Sequence, residues 1–214
     1  MQVYGLTETT GCGTNLKPED HDPARGKLRS CGKPNTGVEV RIVDEDGKDV
    51  AQGEVGEIIM RAASNMKGYW AKPEATADAV RDGWFYSGDA GFLDDEGYVF
   101  IHDRVKDMIV SGGENVYPAE VENALFAHPQ IADVAVIGVP DEKWGEAVKA
   151  CVVPEAGATL SLEEIIAFAR ERIAGYKLPK SVDFVDALPR NPSGKILRRE
   201  LRDPYWEGHE RRVG

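Results

Sequence analysis

The chain has 214 residues, 42% of them hydrophobic and 29% charged, a composition suited to one large folded domain or two modest ones. Its 37 Asp and Glu outnumber 26 Lys and Arg, leaving a formal charge of -11 with no basic half to neutralise a nucleic-acid backbone, so nucleic acid is excluded as a partner. No apolar run approaches the roughly 18 residues of a membrane span, so no transmembrane segment is expected.

Met1–Gly5 has neither the basic nor the apolar region of a secretory signal. From Thr7 to Gly26 the chain is rich in Thr, Gly, Asp and Pro and shows no periodicity, which reads as a functional loop. Strand signals follow. Val38–Val43 alternates, Asp44–Gly47 is a turn, and Val55–Met60 is a second apolar run. Trp84–Ser87, Gly91–Leu93 and Tyr98–His102 add short strands, with a hairpin turn at Asp94–Gly97. This spacing suggests a small β-barrel or sandwich.

After Lys106 the pattern changes. Pro118–Phe126 reads as a helix with proline in its first turn. Ile131–Val139 and Ala147–Val153 look like strands, and the latter carries Cys151. Ser161 and Glu164 form a capping box for an amphipathic helix reaching Ile173. Ser181–Val185 reads as a strand and Lys195–Leu201 as a short helix. The expected fold class is α+β: a small distorted β-barrel-like subdomain, then a compact α+β domain joined by a hinge. Three cysteines, Cys12, Cys31 and Cys151, are odd in number and far apart, which favours a reducing compartment, the cytoplasm. His21, His102, His128 and His209 have no metal-ligand spacing.

Four segments carry chemistry. Tyr4-Gly5-Leu6-Thr7-Glu8 offers an aromatic ring for a base, a hydroxyl for a phosphate and a carboxylate for Mg²⁺, although Thr and Glu this close also cap helices. Tyr86-Ser87-Gly88-Asp89 presents a carboxylate able to accept two hydrogen bonds from a diol, or is an ordinary Gly-Asp turn. Asp103-Arg104-Val105-Lys106-Asp107 runs into Ser111-Gly112-Gly113-Glu114-Asn115, where paired glycines permit close backbone approach or simply a tight turn. Pro189-Arg190-Asn191-Pro192-Ser193-Gly194-Lys195 holds a lysine on a Pro- and Gly-containing loop. It is not a Walker loop, because Pro189 stands where glycine is needed and Ile196 where Ser or Thr is needed.

In this order and spacing the four segments resemble the adenylate-forming superfamily and, within it, the AMP-forming acyl-CoA synthetases. The resemblance implies three domains: residues 1–11 as the edge of a large nucleotide-binding domain, 12–105 as a β-rich subdomain, and 106–214 as a mobile domain. It implies ATP or AMP contacts at Tyr4, Gly5, Thr7, Asp89, Arg104 and Lys195, with Glu8 as the Mg²⁺ ligand. Lys195, Glu8 and Thr7 would be catalytic and Lys106 the hinge. CoA would meet Ser111, Gly112, Gly113, Trp144, Tyr176, Lys177 and Lys180; core packing for the aromatics and plain surface lysines stay open. The reaction implied turns a carboxylic acid, fatty in first preference and aryl otherwise, into its CoA thioester.

Such enzymes also carry a Ser/Thr/Gly-rich phosphate loop upstream of the Tyr4 motif and an acyl pocket, and neither is found in this sequence. The chain is therefore expected to act with a missing N-terminal part and to be inactive alone. Two rivals stay open. One is another branch of the superfamily, a peptide-synthetase adenylation domain or an acyl-AMP ligase; the other is a non-catalytic binding or dimerisation module, with a homo-oligomer as its form.

Overall fold

The chain divides into two units, Met1–Arg104 and Val105–Gly214. The computed structural model describes residues 1–11 and 13–208; Cys12 and His209 lie outside the described residues.

The first unit is built from antiparallel strands. Strands β1 (Gln2–Tyr4), β2 (Thr14–Leu16) and β3 (Lys33–Pro34) form a small sheet in that order. A second sheet contains β4 (Val38–Val43), β5 (Gly56–Ala62), β6 (Val80–Arg81), β7 (Trp84–Leu93) and β8 (Val99–Arg104), ordered β4-β5-β7-β6 with β8 also on β7. Tyr4 from the small sheet packs with Cys31, Ile42, Ile58, Met60 and Val99 in one apolar cluster. Ile58, Ile59 and Met60 are fully buried, each stabilising the unit by roughly 2 kcal/mol. The loop before β3 can approach β2 closely because Gly32 has φ +88°, and a Cβ there would fall 1.8 Å from the Asn15 carbonyl.

Two expectations change here. Thr7–Gly26 is not wholly irregular, since it contains β2 and three short 3-10 turns. Trp84–Ser87 and Gly91–Leu93 are parts of one strand, β7, rather than two. The turn residues Gly88 and Asp89 suggested a break; the strand instead absorbs them as a bulge. Helix α1 (Pro73–Ala79) carried no apolar stripe and was not anticipated; none of its residues is buried.

The second unit has a sheet ordered β10 (Glu114–Val116), β9 (Ile109–Ser111), β12 (Gly145–Pro154), β11 (Ile131–Asp141), with β13 (Ser181–Phe184) parallel to β12. Val134 and Val136 face a core shared with α2 (Pro118–Phe126) and α3 (Leu162–Arg170). Ala135, Ile137 and Val139 face the other way, onto Leu188, Ile196 and Leu201. Both faces of β11 are covered, which is why its sequence is a continuous apolar run without alternation. The covering of the second face is the segment that bears Lys195.

Helix α3 begins with the expected capping box, Glu164 N–H donating to Ser161 Oγ at 3.2 Å and Ser161 N–H to Glu164 Oε2 at 2.9 Å. It ends three residues early, where Arg172 N–H donates to the Ala169 carbonyl only three residues back and tightens the last turn. Helix α4 (Arg198–Arg202) starts three residues later than expected, since Lys195 belongs to the preceding loop. Among the described residues no helix is long and apolar enough to cross a membrane.

Candidate functional site

In the first unit the structure joins three of the expected nucleotide residues. Asp89 is 6% exposed; its Oδ2 accepts the Tyr4 phenol at 2.7 Å and its Oδ1 lies 2.8 Å from Arg104 Nε. The Tyr4 ring sits in the core, so what Tyr4 offers the site is its hydroxyl. Burial, with the Asp89 charge adding to it, pushes the phenol well above its usual pKa and keeps it a donor. Arg104 is directly opposite Asp89 in the β7–β8 ladder, and its half-exposed side chain limits that ion pair to about 1 kcal/mol.

The presentation of Asp89 follows from a bulge. Glu57 pairs with Ala90 and Ile59 with Tyr86, so Ser87, Gly88 and Asp89 together stand opposite Ile58. Three bonds hold them there. The Ser87 hydroxyl donates to the Ile58 carbonyl at 2.6 Å, Asp89 N–H to Ser87 Oγ at 3.0 Å, and Gly88 N–H to Glu57 Oε1 at 2.8 Å. Burial raises the pKa of Glu57, the nearby Asp89 charge adds to the effect, and the Gly88 bond opposes it.

Thr7 and Glu8 lie on a 3-10 turn, Thr7–Thr9, with Thr7 exposed. The turn is closed by Thr9, whose Oγ1 accepts from Leu6 N–H at 2.9 Å, while Gly5 is half-buried just before it. Glu8 has its own support: Tyr69 donates to its Oε1 at 2.9 Å and Met66 N–H to its carbonyl at 2.7 Å. Among the described residues no cluster of three His, Cys, Asp or Glu could hold a metal ion. A single half-exposed carboxylate suits a Mg²⁺ ion whose other ligands are phosphate oxygens and water.

In the second unit, Gly112, between Ser111 and Gly113, meets Trp144. Gly112 N–H donates to the Trp144 carbonyl at 2.9 Å, and a Cβ on Gly112 would come within 2.6 Å of the indole. Ser111 is buried opposite Gly145, and Gly113 is exposed. Gly112, Gly113 and Trp144 line a cleft of about 1010 Å³ with Trp206 on its wall, and Ser111 is not part of that lining. Lys143 Nζ stands 4.5 Å and Lys180 Nζ 6.0 Å from the indole. Tyr176 is 43% exposed, but Lys177 turns onto Glu120, 2.7 Å from both carboxylate oxygens. Despite the burial cost to its ammonium, that pairing raises the Lys177 pKa.

Lys195 is exposed at the end of a closed loop. Asn191 Oδ1 accepts from Ser193 N–H, the Ser193 hydroxyl and Lys195 N–H at 3.1, 2.8 and 2.9 Å, and Asn191 N–H donates to the Lys195 carbonyl at 2.9 Å. Arg190 reaches the Gly194 carbonyl at 2.6 Å and Asp133 on β11 at 2.5 Å. Lys106 lies in a 3-10 turn, Val105–Asp107, and its carbonyl accepts from Arg202 at 3.4 Å.

Sequence reasoning did not single out Glu57, Tyr69 or Asn191. Asn-Pro-Ser-Gly is a local turn signal that points to Asn191, whereas Glu57 and Tyr69 reach their partners only through the fold.

Comparison with known proteins identifies the family. The AMP-binding enzyme family matches residues 1–70, and the AMP-binding enzyme C-terminal domain matches residues 120–195. A fatty acid–[acyl-carrier-protein] ligase, ScoC of Streptomyces coeruleorubidus, is 46% identical over 99% of this chain and 41% of its own length. A feruloyl-CoA synthase of Amycolatopsis is 49% identical over 94% of this chain and 40% of its own. The o-succinylbenzoate CoA synthetase of Bacillus subtilis, solved with its acyl-adenylate intermediate, superposes with a TM-score of 0.85 at 39% identity, covering 100% of this chain and 41% of that one. The chain spans about two fifths of the length of the relatives it matches.

Proposed function

The chain belongs to the AMP-binding, adenylate-forming enzymes, and from that premise we propose that it serves an acid–thiol ligase. The first half-reaction is carboxylate + ATP → acyl-AMP + pyrophosphate. The second is acyl-AMP + thiol → thioester + AMP, with the thiol of CoA as acceptor. The observation that carries this reading is the buried Asp89, braced by Tyr4 and Arg104. A carboxylate fixed in this way is an acceptor suited to the hydroxyls of a ribose.

The remaining roles follow by chemistry. Thr7 donates to a phosphate, and Glu8 ligates the Mg²⁺ that arrives with ATP and neutralises its phosphates. The Lys195 ammonium stabilises charge developing between the attacking carboxylate and the α-phosphate. Lys106 is the pivot between half-reactions. The Trp144 cleft takes the pantetheine arm, with Gly112 and Gly113 in its wall, while Ser111 beside them and the exposed Tyr176 are further CoA contacts. Lys180 meets the phosphates of CoA, and Lys177 joins it by exchanging Glu120 for phosphate. In the whole enzyme, residues 1–11 would be the edge of a large nucleotide-binding domain, 12–105 a β-rich subdomain and 106–214 the mobile domain, and the reaction would take place in the cytoplasm.

Both fatty and aryl acids are within reach, since the relatives act on fatty and feruloyl groups according to their names. ScoC favours one second reading, in which a carrier protein supplies the thiol. Activity requires the part of the relatives' length that this chain does not span. ATP–pyrophosphate exchange tests the proposal, using this chain and the gene extended upstream against a panel of fatty and aryl acids. Exchange by the extended protein alone supports it, and exchange by neither overturns it. Offering CoA and a carrier protein in turn then identifies the acceptor.

A further inference from the structure

The loop bearing Lys195 and the turn bearing Lys106 are 89 positions apart in sequence, yet one charged network ties them together within the second unit. Helix α4 leaves the loop three residues after Lys195 and carries Arg198 and Arg202. Arg198 holds Glu122 of α2 through two bonds, Nε to Oε1 at 3.0 Å and Nη2 to Oε2 at 2.6 Å. Glu122 is fixed in turn by Val136 N–H of β11, which donates to Oε1 at 2.8 Å. On the other side, Asp107 lies between the two cations, 3.8 Å from Arg198 and 3.6 Å from Arg202. Arg202 also donates to the Lys106 carbonyl at 3.4 Å.

Burial makes this more than a surface arrangement. The side chains of Asp107, Glu122, Arg202 and Arg198 are only 13%, 14%, 16% and 20% exposed. Two carboxylates and two guanidiniums balance, so the group is neutral as a whole. Removing one member leaves an unbalanced charge in a poorly solvated place, and that penalty is much larger than the loss of a surface pair. The loop's other end is anchored separately, by Arg190 on Asp133. The loop is therefore clamped at entry and exit, and its exit clamp is the same group that grips the turn.

We propose that Arg198 and Arg202 are positioning residues that hold the Lys195 loop in fixed register with Lys106–Asp107. This deepens the ligase reading, on which the roles of Lys106 and Lys195 rest. The pivot and the lysine it delivers belong to one rigid piece, so a rotation about Lys106 moves Lys195 without slack. Neither guanidinium touches the reacting atoms; each acts through Asp107 and Glu122.

Amide hydrogen exchange on the 214-residue chain tests this without any substrate, so its failure leaves the ligase reading to stand or fall on pyrophosphate exchange. Asp107→Asn keeps the size and removes the charge between the guanidiniums. The expected result is exchange about threefold or more faster in residues 189–197 as well as in 104–108, with β11 and β12 unchanged. Faster exchange confined to 104–108 overturns the proposal, as does no change in either segment. Uniform acceleration through β11 and β12 overturns it too, since the network would then serve only global stability. If Asp107→Asn fails to fold, Arg202→Gln reads the same coupling from the opposite side. With both variants folded, the double variant should exchange no faster in 189–197 than the faster single one, and additive effects would show two independent contacts.

Discussion

Tyr4 donates a 2.7 Å hydrogen bond to Asp89 across 85 residues of sequence, joining the first strand of the chain to the bulge of β7. The bond sets the direction of a proton as well as a distance. A phenol held protonated by burial and by its acidic neighbour can only donate here, so the Asp89 carboxylate stays an acceptor with Arg104 on its other oxygen. On the proposed reading, a ribose diol approaching Asp89 would meet a carboxylate already fixed in orientation. That preorganisation is what the Tyr4 hydroxyl contributes.

Tyr4→Phe keeps the buried ring and deletes the donor. Asp89 then loses one buried partner, and the chain should lose about 1–2 kcal/mol of stability by urea denaturation. In the extended protein, nucleotide affinity should fall by roughly three- to tenfold by calorimetry, since one neutral donor is worth about a kcal/mol. Unchanged affinity would detach Tyr4 from the nucleotide site.

Gly112→Ala should damage thiol transfer selectively. Gly112 has φ +63°, and a Cβ there would lie 2.6 Å from the Trp144 ring, so the substitution strains the backbone by about 1–2 kcal/mol and displaces the indole. Single-turnover measurements on the extended protein should show thioester formation slowed at least tenfold while acyl-AMP formation is retained. Equal losses in both steps would disconnect the Trp144 cleft from CoA.

Asn191→Ala removes the acceptor that gathers three donors around the Lys195 loop. The loop is largely exposed, so those donors turn to water and the melting temperature should shift by only about 2 °C or less. Order is lost instead. Adenylation should drop by about tenfold, as expected when a charged group is released from a fixed position. Wild-type rates of pyrophosphate exchange would show that Lys195 needs no such frame.

Glu57→Gln should stabilise the chain at neutral pH. Burial raises the pKa of Glu57 in the folded state, so the folded form holds its proton more tightly than the unfolded form does. The sign is then fixed: stability falls as pH rises from the unfolded value of 4.5 through the raised folded value, and stays lower above it. Glutamine keeps the oxygen that accepts from Gly88 and carries no charge. Melting curves from pH 4 to 8 should show the variant gaining over the parent as pH increases, whereas a parallel pair of curves would remove Glu57 as the cause.

How much of this was legible in sequence depends on the range of each interaction. The Pro118–Phe126 helix and the Ser161 cap are local, set by a proline, a serine and apolar spacing within a few residues, and they are found where those signals place them. The end of α3 lies earlier than the apolar pattern suggests because Ile173 keeps an apolar position packed on the core, while the Arg172 amide before it already bonds three residues back instead of four. The two-strand reading of Trp84–Leu93 failed for a longer-range reason: only the partner strand reveals that Ser87–Asp89 is a bulge and not a turn. Asp89 and Lys195 announce themselves, as do Tyr4 and Arg104, and a local turn signal points to Asn191, but the supports of Gly88 and Glu8 do not announce themselves. Glu57 reaches Gly88 from 31 positions away and Tyr69 reaches Glu8 from 61, and no window along the chain contains either pair.

The bulge in β7 also means that the sheet is kept from its own best pairing. Removing Ser87 and Gly88 would let the ladder close, with one residue of β7 facing one residue of β5 throughout. Asp89 would then sit directly across from Ile58, and cross-strand neighbours point to the same face. Ile58 is fully buried among apolar side chains, so the repaired strand would drive a carboxylate into oil. Regular pairing and a satisfied carboxylate are opposed at this spot. The irregular strand keeps the sheet intact while leaving the buried acid within reach of Tyr4 and Arg104, the two groups that satisfy it.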